Sequence, residues 1–357
     1  MKITSKIKEY TLEVLEDCLS RKAQVMGRIS CGRPFYFIDQ GFYRIYESQL
    51  SSFVGSDFCL LIEATEHNKS YLRLADYYRA LMEAGFTRND CLVTWGGGIL
   101  QDISGFIAST LYRGVKWIFF PTTLLAQADS CIGSKTSINF DDSKNLIGTF
   151  YPPDLIIADF KFTSTLSDAD FNSGLGEIIK FHLLADRRRF GLLKKFLDSG
   201  DLRQSPDMKK IIHATLEIKK SYFEADEFDT GRRNLLNYGH CFGHALESAS
   251  CFAVAHGEAV LVGMGFANLI SSRRGLMAKN VYEEMESMLR PYYPRLDWSK
   301  ITVEEIIHYL KKDKKRVGGD LTMILARDVG DSAKYDDLKD QEMASAYADF
   351  LKIYPKD

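Results

Sequence analysis

The sequence predicts an α/β domain with a Rossmann-like parallel sheet over residues 1–163, followed by a mainly α-helical domain over residues 164–357. Three observations support this fold class. Short apolar runs alternate with helical patterns in the first half of the chain, which is the order of a parallel sheet covered by helices. Long helical patterns dominate after about residue 165. A length of 357 residues allows two domains with sizeable cores.

In the first domain, strands are predicted at four apolar runs, PFYFID, FCLLIEA, CLVTW and VKWIFFP. The run KSYLRLADYYRALMEAG has helical spacing and ends at Gly85, a residue typical of helix C-caps. CLVTW leads directly into Gly96, Gly97 and Gly98, and the helical pattern ILQDISGFIAST follows. Backbone without side chains at a helix N-terminus can approach a phosphate. This loop therefore predicts either a dinucleotide site or only a tight turn.

The second domain is predicted to contain helices at DADFNSGLGEIIKFHLL, RRRFGLLKKFLDSG, MKKIIHATLEIKKSYFEA and the histidine-containing segment NLLNYGHCFGHALE. The main predicted strand is LTMILAR. No internal repeat or low-complexity segment interrupts this order.

Composition is that of a soluble globular protein, with 26% charged and 45% hydrophobic residues. The net charge of −2 gives no reason to expect nucleic acid or an anionic membrane as a partner. The longest apolar stretch, AVLVGMGFANLI, is too short to span a bilayer, and MKITSKIKEY has no apolar signal region. We therefore expect a cytoplasmic protein. Seven scattered cysteines without a CxxC pair predict reduced, mostly buried thiols.

A carboxylate and several histidines suggest a metal centre. Glu177 and Lys180 lie three apart in an apolar helical pattern, so they form either an ordinary ion pair or part of a buried site that needs a cation. His240 and His244 share one helical face, and His256 follows in AHGEAV. One carboxylate and two histidines are a common catalytic zinc set. Spacing alone does not choose two of the three histidines.

Cationic and amide side chains suggest a pocket for a substrate with more than one anionic group, the alternative being a set of solvated charges. Lys135 and Lys144 lie in GSKTSINFDDSKNLIG, which reads as a polar loop. Lys219 lies on an earlier helix than Arg233 and Asn237, which are one helical turn apart.

Together these segments resemble the sugar phosphate cyclases, and within that superfamily the 3-dehydroquinate synthase family most closely. The resemblance runs from about residue 60 to about residue 330. It rests on EHNKS, GGGILQDISGFIASTLYRG, FPTTLLAQADSCIGSKTSIN, KNLIGTFYPP, GLGEIIK, DEFDTGRRNLLNYGHCFGHALE, HGEAV and DKK. So many motifs in the family's order make chance agreement implausible.

The resemblance implies roles for individual residues. It implies one zinc or cobalt ion on Glu177, His240 and His256, with His244 facing the substrate phosphate. The implied NAD contacts are Asp39, Glu66, Lys69, Gly97, Gly98, Asp102, Thr122, Thr123, Lys135, Lys144 and the segment from Phe162 to Thr165. The implied substrate contacts are Asp129, Lys135, Asn145, Lys180, Lys219, Arg233, Asn237, His244 and one of Lys314 and Lys315. Arg113 matches the arginine that enters the partner subunit's site, which implies a homodimer.

The implied reaction is carbon–oxygen lysis of a keto-acid sugar phosphate, through transient oxidation by NAD, phosphate elimination, reduction and aldol closure. Gln101, Ser134 and the SINF segment depart from the usual family pattern, as do Phe228 and Asp229. The alternatives are therefore a cyclase for an amino analogue or a neutral sugar phosphate, of the aminodehydroquinate, 2-epi-5-epi-valiolone or 2-deoxy-scyllo-inosose synthase type. An NAD-dependent metal polyol dehydrogenase and a non-catalytic binding module are disfavoured.

Overall fold

A computed structural model describes residues 1–54, 58–141, 143–312 and 321–354. The chain divides into two compact units, Met1–Leu166 and Ser167–Asp357. We call them the first and the second unit and describe each by itself. The sequence-predicted boundary, between residues 163 and 164, lies close to this division.

The first unit is built on a seven-stranded sheet in the order β1-β2-β9-β6-β5-β3-β4. All neighbours in it are parallel except β1 and β2, which are antiparallel. Strands β7 and β8 form a separate antiparallel hairpin. The strands are β1 (Lys2–Ile3), β2 (Tyr10–Val14), β3 (Pro34–Asp39), β4 (Cys59–Ile62), β5 (Cys91–Gly96), β6 (Lys116–Pro121), β7 (Ile138–Phe140), β8 (Ser143–Ile147) and β9 (Leu155–Ala158).

Helices α1 to α4 complete this unit: α1 (Lys22–Arg28), α2 (Gln40–Leu50), α3 (Tyr71–Glu83) and α4 (Gly98–Thr110). Strand β5 is buried along its whole length, as expected for a central strand covered on both faces. Trp95 of β5 stacks on Phe120 of β6, with ring centroids 3.8 Å apart. The four predicted strands and the two predicted helices of this half are confirmed.

The strand order reverses direction once between β3 and β5, which makes this place a topological switch point of the sheet. The chain passes from β3 to β4 on one side and then returns to β5 on the other side of β3. In open parallel sheets, ligands bind beyond the carboxyl ends of the strands at such a point. Here those ends are Asp39 of β3 and Gly96 of β5.

The prediction for two cysteines was wrong, because Cys31 and Cys91 form a disulfide with Cα atoms 5.8 Å apart. Cys91 opens β5 and is in register with Pro34 of β3. The turn before β3 therefore brings Cys31 to the start of the neighbouring strand, a proximity that sequence separation does not reveal. Cys18, Cys59, Cys131, Cys241 and Cys251 are not in disulfides.

The second unit consists of helices and one antiparallel β-hairpin. Its elements are α5 (Asp168–Ala185), α6 (Arg187–Leu197), α7 (Met208–Ala225), α8 (His240–Ala249), α9 (His256–Arg273), α10 (Lys279–Leu289), α11 (Val303–Lys312), β10 (Leu321–Asp328), β11 (Asp331–Leu338) and α12 (Asp340–Ile353). Three of the four predicted helices and the strand at LTMILAR are confirmed. The histidine-containing segment is not one continuous helix, because a 3₁₀ helix ends at Asn237 and Gly239, with a φ of 79°, precedes α8. Helix α9 is buried on almost every side, so it forms the core around which the other helices pack. None of the helices within the described ranges has both the length and the apolarity that crossing a membrane requires.

Glycines allow α5 and α8 to approach α9 at backbone distance. A Cβ on Gly257 of α9 would lie 1.8 Å from the Ser173 carbonyl oxygen of α5, and one on Gly176 would lie 2.2 Å from the Gly257 carbonyl oxygen. A Cβ on Gly263 would lie 1.9 Å from the carbonyl oxygen of Gly239, which precedes α8. Glu177 directly follows Gly176, and His256 directly precedes Gly257. The close crossing of α5 and α9 therefore brings these two side chains together.

Candidate functional site

Helix α5 carries a charged pair into the core of the second unit. Glu177 is 1% exposed and Lys180 is 2% exposed, so the helix is buried, as the sequence predicted. The Lys180 ammonium is paired with Glu177 Oε2. A carboxylate this buried requires cationic partners or a metal ion.

Two histidines direct the same ring nitrogen towards this carboxylate. His240 Nε2 lies 3.6 Å from Glu177 Oε1, and His256 Nε2 lies 3.4 Å from the same oxygen. His240 Nδ1 lies 3.2 Å from the carbonyl oxygen of Tyr238. Because a carbonyl oxygen can only accept, Nδ1 of His240 is the donor, and a neutral His240 has its lone pair on Nε2.

Electrostatics distinguish the two histidines. Burial, reinforced by Lys180 and the other histidines, lowers the pKa of His240 well below its ordinary value, so this ring is neutral. Burial also lowers the pKa of His256, but hydrogen bonds to Glu177 and Glu247 outweigh it and raise that pKa to about 10. Burial raises the pKa of Glu177, yet Lys180 and His256 lower it below its usual range. In the metal-free protein, His256 is an imidazolium between two carboxylates, and a metal ion must displace its Nε2 proton.

His244 lies beside both rings. Its ring centroid is 5.4 Å from that of His240 and 5.6 Å from that of His256. Each of the three histidines offers one ring nitrogen as a ligand, and these three nitrogens all lie within 4.8 Å of one another. Geometry thus offers two ligand sets, three histidines or Glu177 with two of them. His244 is the exposed member, which suits a group that meets substrate better than a group that closes a buried centre.

Two features of this region were not predicted. Glu247 of α8 has both carboxylate oxygens 3.5 Å from His256 Nδ1; the signal was its place in GHALE, one turn or two from the other histidines of the helix. His182 of α5 is fully buried, with Nδ1 2.9 Å from the Arg189 carbonyl oxygen and Nε2 3.2 Å from Thr215 Oγ1. His182 is therefore a structural histidine that joins three helical segments.

Two cations lie along one side of α7. Lys219 is 7% exposed and Arg233 is 8% exposed. The Lys219 ammonium lies 5.6 Å from the centroid of Phe181, and the Arg233 guanidinium lies 5.4 Å from that of Phe223. Since Lys219 and Phe223 are one turn apart on α7, the two cations occupy the same side of this helix. Cations so buried are suited to binding an anion.

A turn after α7 fixes the position of Arg233. The Asp226 carboxylate accepts hydrogen bonds from the backbone N–H groups of Thr230, Gly231 and Arg233, at 3.0, 2.8 and 3.0 Å. The Arg233 guanidinium donates to the carbonyl oxygen of Glu227. Asn237 closes the short 3₁₀ helix Arg232–Asn237 by donating to the Asn234 carbonyl oxygen at 2.9 Å.

A polar cluster in the first unit contains several residues predicted to contact NAD. Lys69 is 5% exposed, and its ammonium lies 2.6 Å from Asp102 Oδ2 and 2.7 Å from Asn145 Oδ1. Ser137 donates its backbone N–H to Asp102 at 3.0 Å and its hydroxyl to the same carboxylate at 2.8 Å. Asn139 donates to Glu66 at 2.7 Å. Ser137 and Asn139 were not predicted. Ser137 precedes β7 and Asn139 lies within it, in a segment that was read as a loop.

The other residues predicted to contact NAD follow carboxyl ends of parallel strands. Asp39 ends β3, where it caps α2 by accepting from Gly41 N at 2.7 Å. Gly97 is the residue before α4, and a Cβ on it would lie 2.9 Å from Thr123. A Cβ on Gly98 would meet nothing closer than 3.9 Å. The N-terminus of α4 has no side-chain cap, so its backbone N–H groups are available to an anion.

The remaining predicted residues are dispersed. Thr122 follows β6 and is buried, whereas the Phe162 side chain packs in the aromatic core, 4.9 Å from Phe42 between ring centroids. Thr165 Oγ1 lies 3.2 Å from the Tyr46 hydroxyl. Lys144 Nζ lies 3.7 Å from Glu66, and Asp129 lies in the π-helix Ala126–Ser130. Lys135 and Arg113 are exposed. Lys314 and Lys315 lie outside the described residues.

Comparisons with known proteins agree with these observations. The model of the 3-dehydroquinate synthase N-terminal region matches residues 59–173, and that of the C-terminal region matches residues 174–316. A 3-dehydroquinate synthase from Dictyoglomus turgidum is 36% identical over 310 residues, which are 86% of this chain and 86% of that protein.

Two solved structures share the whole fold. A 2-epi-5-epi-valiolone synthase from Streptomyces hygroscopicus with NAD+ and Zn2+ bound is 26% identical, has a TM-score of 0.85 and covers 98% of this chain and 99% of its own. A 2-deoxy-scyllo-inosose synthase complexed with carbaglucose-6-phosphate, NAD+ and Co2+ is 24% identical with a TM-score of 0.83, covers 97% of this chain and 98% of its own, and supports the fold alone. Given the two family models and a relative at 36% identity, the chain belongs to the 3-dehydroquinate synthase family.

Proposed function

We propose that this chain catalyses the 3-dehydroquinate synthase reaction, in which a seven-carbon keto-acid sugar phosphate becomes 3-dehydroquinate and inorganic phosphate. The observation that carries the proposal is the convergence of one buried carboxylate and two histidine Nε2 atoms in a chain of this family. NAD and one divalent ion, zinc or cobalt, are the proposed cofactors. A structural relative that is 26% identical binds NAD+ and Zn2+.

The residues of the second unit fit a divalent ion. His240 Nε2 and Glu177 Oε1 are both electron-pair donors, yet they face each other at 3.6 Å. A divalent ion between them would accept an electron pair from each. We assign Glu177, His240 and His256 as ligands, since a carboxylate with two histidines is a common catalytic set that leaves a position open for substrate.

The residues of the first unit fit a dinucleotide. We assign NAD to the domain over residues 1–163, where Asp39, Gly97 and Gly98 lie at carboxyl ends of strands beside the switch point. The uncapped N-terminus of α4 supports binding of its pyrophosphate. The domain over residues 164–357 is assigned to metal and substrate.

When bound, NAD accepts and later returns a hydride, while the divalent ion polarises a substrate oxygen as a Lewis acid. The chain's own residues bind and orient the substrate. Lys219 and Arg233 hold its carboxylate by charge-assisted hydrogen bonds, and His244 and Asn237 hold its phosphate. Lys180 keeps the Glu177 carboxylate ionised. Positioning of this kind is the main contribution of the protein to such a reaction.

Two further assignments concern assembly and location. Arg113 is exposed and has a positive φ of 64°, a conformation that a residue other than glycine adopts only where its surroundings require it. We assign Arg113 to the homodimer contact implied by the family resemblance. Cytoplasmic location stays a prediction.

A substrate panel tests the proposed reaction. Purified protein with NAD and metal is offered the keto-acid heptulose phosphate, its amino analogue, sedoheptulose 7-phosphate and glucose 6-phosphate, and phosphate release is followed. We expect release from the keto-acid phosphate with catalytic amounts of NAD and no lasting rise in NADH absorbance. Preference for another member of the panel would assign the chain to another cyclase activity. Stoichiometric NADH from a polyol, with no phosphate release, would indicate a dehydrogenase.

Substitution of Arg233 tests the choice of substrate. Arg233→Leu removes a charge-assisted bond to the carboxylate, so kcat/KM for the acid should fall by roughly ten- to a hundredfold, or about 1.5–3 kcal/mol. Any residual turnover of sedoheptulose 7-phosphate should change far less. The matched control is Arg232→Leu, because Arg232 is the exposed neighbour that stacks on Tyr222 at 4.6 Å. Equal losses on both substrates would make Arg233 structural.

A further inference from the structure

The two histidines assigned to the metal are held by different groups. His240 Nδ1 faces a backbone carbonyl oxygen, that of Tyr238, at 3.2 Å. His256 Nδ1 faces the Glu247 carboxylate, with both oxygens at 3.5 Å. An ionised carboxylate can accept hydrogen bonds but cannot donate them. The His256 Nδ1–H therefore points at Glu247, and Nε2 points at Glu177.

The backbone between α8 and α9 is shaped to make this contact. Glu247 lies near the end of α8, and His256 is the first residue of α9. Cys251 and Phe252, in the turn between them, have positive φ angles of 53° and 61°. Such conformations are uncommon for residues other than glycine. The turn folds His256 back over α8, so that two residues nine apart face each other.

We propose that Glu247 is a positioning residue for the metal ligand His256. It fixes the orientation of the imidazole and its Nδ1–H tautomer, so that Nε2 is presented to the same point as Glu177 and His240. Carboxylates in this relation to a ligating histidine orient the ring and raise its basicity, and their loss typically weakens metal binding by about 10- to 100-fold. This inference rests on the proposed metal centre.

Charge supports the same role. The Glu177 carboxylate is paired with the Lys180 ammonium, so these two groups together contribute no net charge to the centre. Glu247 is 16% exposed and adds a negative charge next to His256. A divalent ion in partly buried surroundings is stabilised by that additional charge.

The test measures metal affinity directly. Full-length wild type, Glu247→Gln and Glu247→Ala are stripped with a chelator, and the Kd for Co2+ is obtained from its visible absorption in competition with a chelator of known affinity. We expect at least a tenfold rise in Kd for Glu247→Ala. The rise should be smaller for Glu247→Gln, whose amide oxygen still accepts from Nδ1–H but lacks the charge.

The matched control is Glu217→Ala, because Glu217 lies 3.6 Å from Nδ1 of His213, a histidine outside the metal centre. Its Kd for Co2+ should equal that of wild type. If both Glu247 variants bind Co2+ with a Kd within twofold of wild type, the proposal is overturned. A lowered melting temperature of the metal-free variants would then mean that Glu247 only stabilises the turn between α8 and α9. If Glu247→Ala does not fold, Glu247→Gln decides in the same way.

The outcomes separate this proposal from the proposed function. If the Glu247 variants bind Co2+ with the wild-type Kd while His240→Ala loses Co2+ binding, the role of Glu247 is refuted and the metal centre stands. Absence of saturable Co2+ binding by the wild type would refute the metal centre itself and the role of Glu247 with it.

Discussion

Two buried polar clusters differ in how their charged groups are paired. One is the polar cluster of the first unit, and the other is the cluster of Glu177, His240 and His256 in the second unit. In the first, Lys69, Asp102 and Ser137 satisfy one another, with an ion pair of 2.6 Å and hydrogen bonds of 2.8 and 3.0 Å. In the second, Glu177 and His240 direct acceptor atoms at each other. The first arrangement satisfies its charged groups internally, whereas the second keeps two electron-pair donors facing each other, as the proposed metal centre requires.

This difference predicts how each cluster responds to substitution. Removing a member of a self-satisfied buried pair leaves an uncompensated charge, so its effect appears as lost stability. Removing a member of the proposed ligand set takes away one ligand of the ion, so its main effect should appear as lost metal. The predictions below use this contrast, beginning with the packing that brings the second cluster together.

The largest expected effect is at the crossing of α5 and α9. Gly257→Val places a side chain where a Cβ alone would lie 1.8 Å from the Ser173 carbonyl oxygen. Because backbone rather than a flexible side chain is in the way, the helices must separate, and we expect a loss of at least about 3 kcal/mol in the free energy of unfolding. Chemical denaturation measures it.

Gly191→Ala is the matched control for that substitution. Gly191 lies inside α6, and a Cβ there would meet nothing within 4 Å. Alanine should therefore stabilise the protein slightly, by about 0.5–1 kcal/mol. Equal stabilities for Gly257→Val and wild type would mean that the helix crossing is not tight and that it does not position Glu177.

The next effect tests the self-satisfied cluster. Lys69→Met leaves Asp102 without its ammonium partner, and loss of one member of a buried pair costs roughly 3–5 kcal/mol. Since Asp102 is 21% exposed, we expect a value near the lower end. Urea denaturation of the protein without cofactor gives the measurement. The control is Lys210→Met, whose ion pair with Asp207 is also 2.6 Å long but is exposed, so it should cost less than about 1 kcal/mol. Similar small losses in both variants would contradict the contrast.

The smallest effect concerns the turn that carries Arg233. Burial raises the pKa of Asp226, but backbone hydrogen bonds from Thr230, Gly231 and Arg233 outweigh it and lower the pKa to about 2. A depressed pKa contributes stability that is present above the ordinary value of 3.8 and is lost as pH falls towards 2. Asp226→Asn should therefore cost about 1 kcal/mol at pH 7. The gap to wild type should narrow between pH 4 and pH 2 in thermal melts. A gap that does not change with pH would assign the loss to packing.

Much of the fold was predictable because its elements repeat a clear pattern. PFYFID, CLVTW and the pattern of α5 gave strands and a helix where the structure has them. Strands β2 and β9 were missed, since YTLEV and LIIA are only five and four residues long, too short for a clear period to stand out. β11 was missed because DSAKYDDL is a polar, largely exposed strand that only its pairing with β10 defines.

The candidate site was predictable only in part, because several of its contacts depend on tertiary structure. Spacing alone could not select among His240, His244 and His256, since all three rings come within one cluster. The resemblance supplied that choice. The contact of Glu247 with His256 depends on a turn with positive φ angles, and the Cys31–Cys91 disulfide depends on the register of β3 and β5. Neither is encoded in a local pattern.

The most direct test of the converging ligand set is the metal content of four variants after purification with zinc and dialysis. Glu177→Gln, His240→Ala and His256→Ala should each retain less than about a tenth of the wild-type metal, since a catalytic site with three protein ligands does not hold a divalent ion well with two. His244→Ala should retain the metal and lose turnover. If His244→Ala empties the protein while Glu177→Gln keeps its metal, the ion is bound by the three histidines, and the assignment of Glu177 as a ligand is wrong.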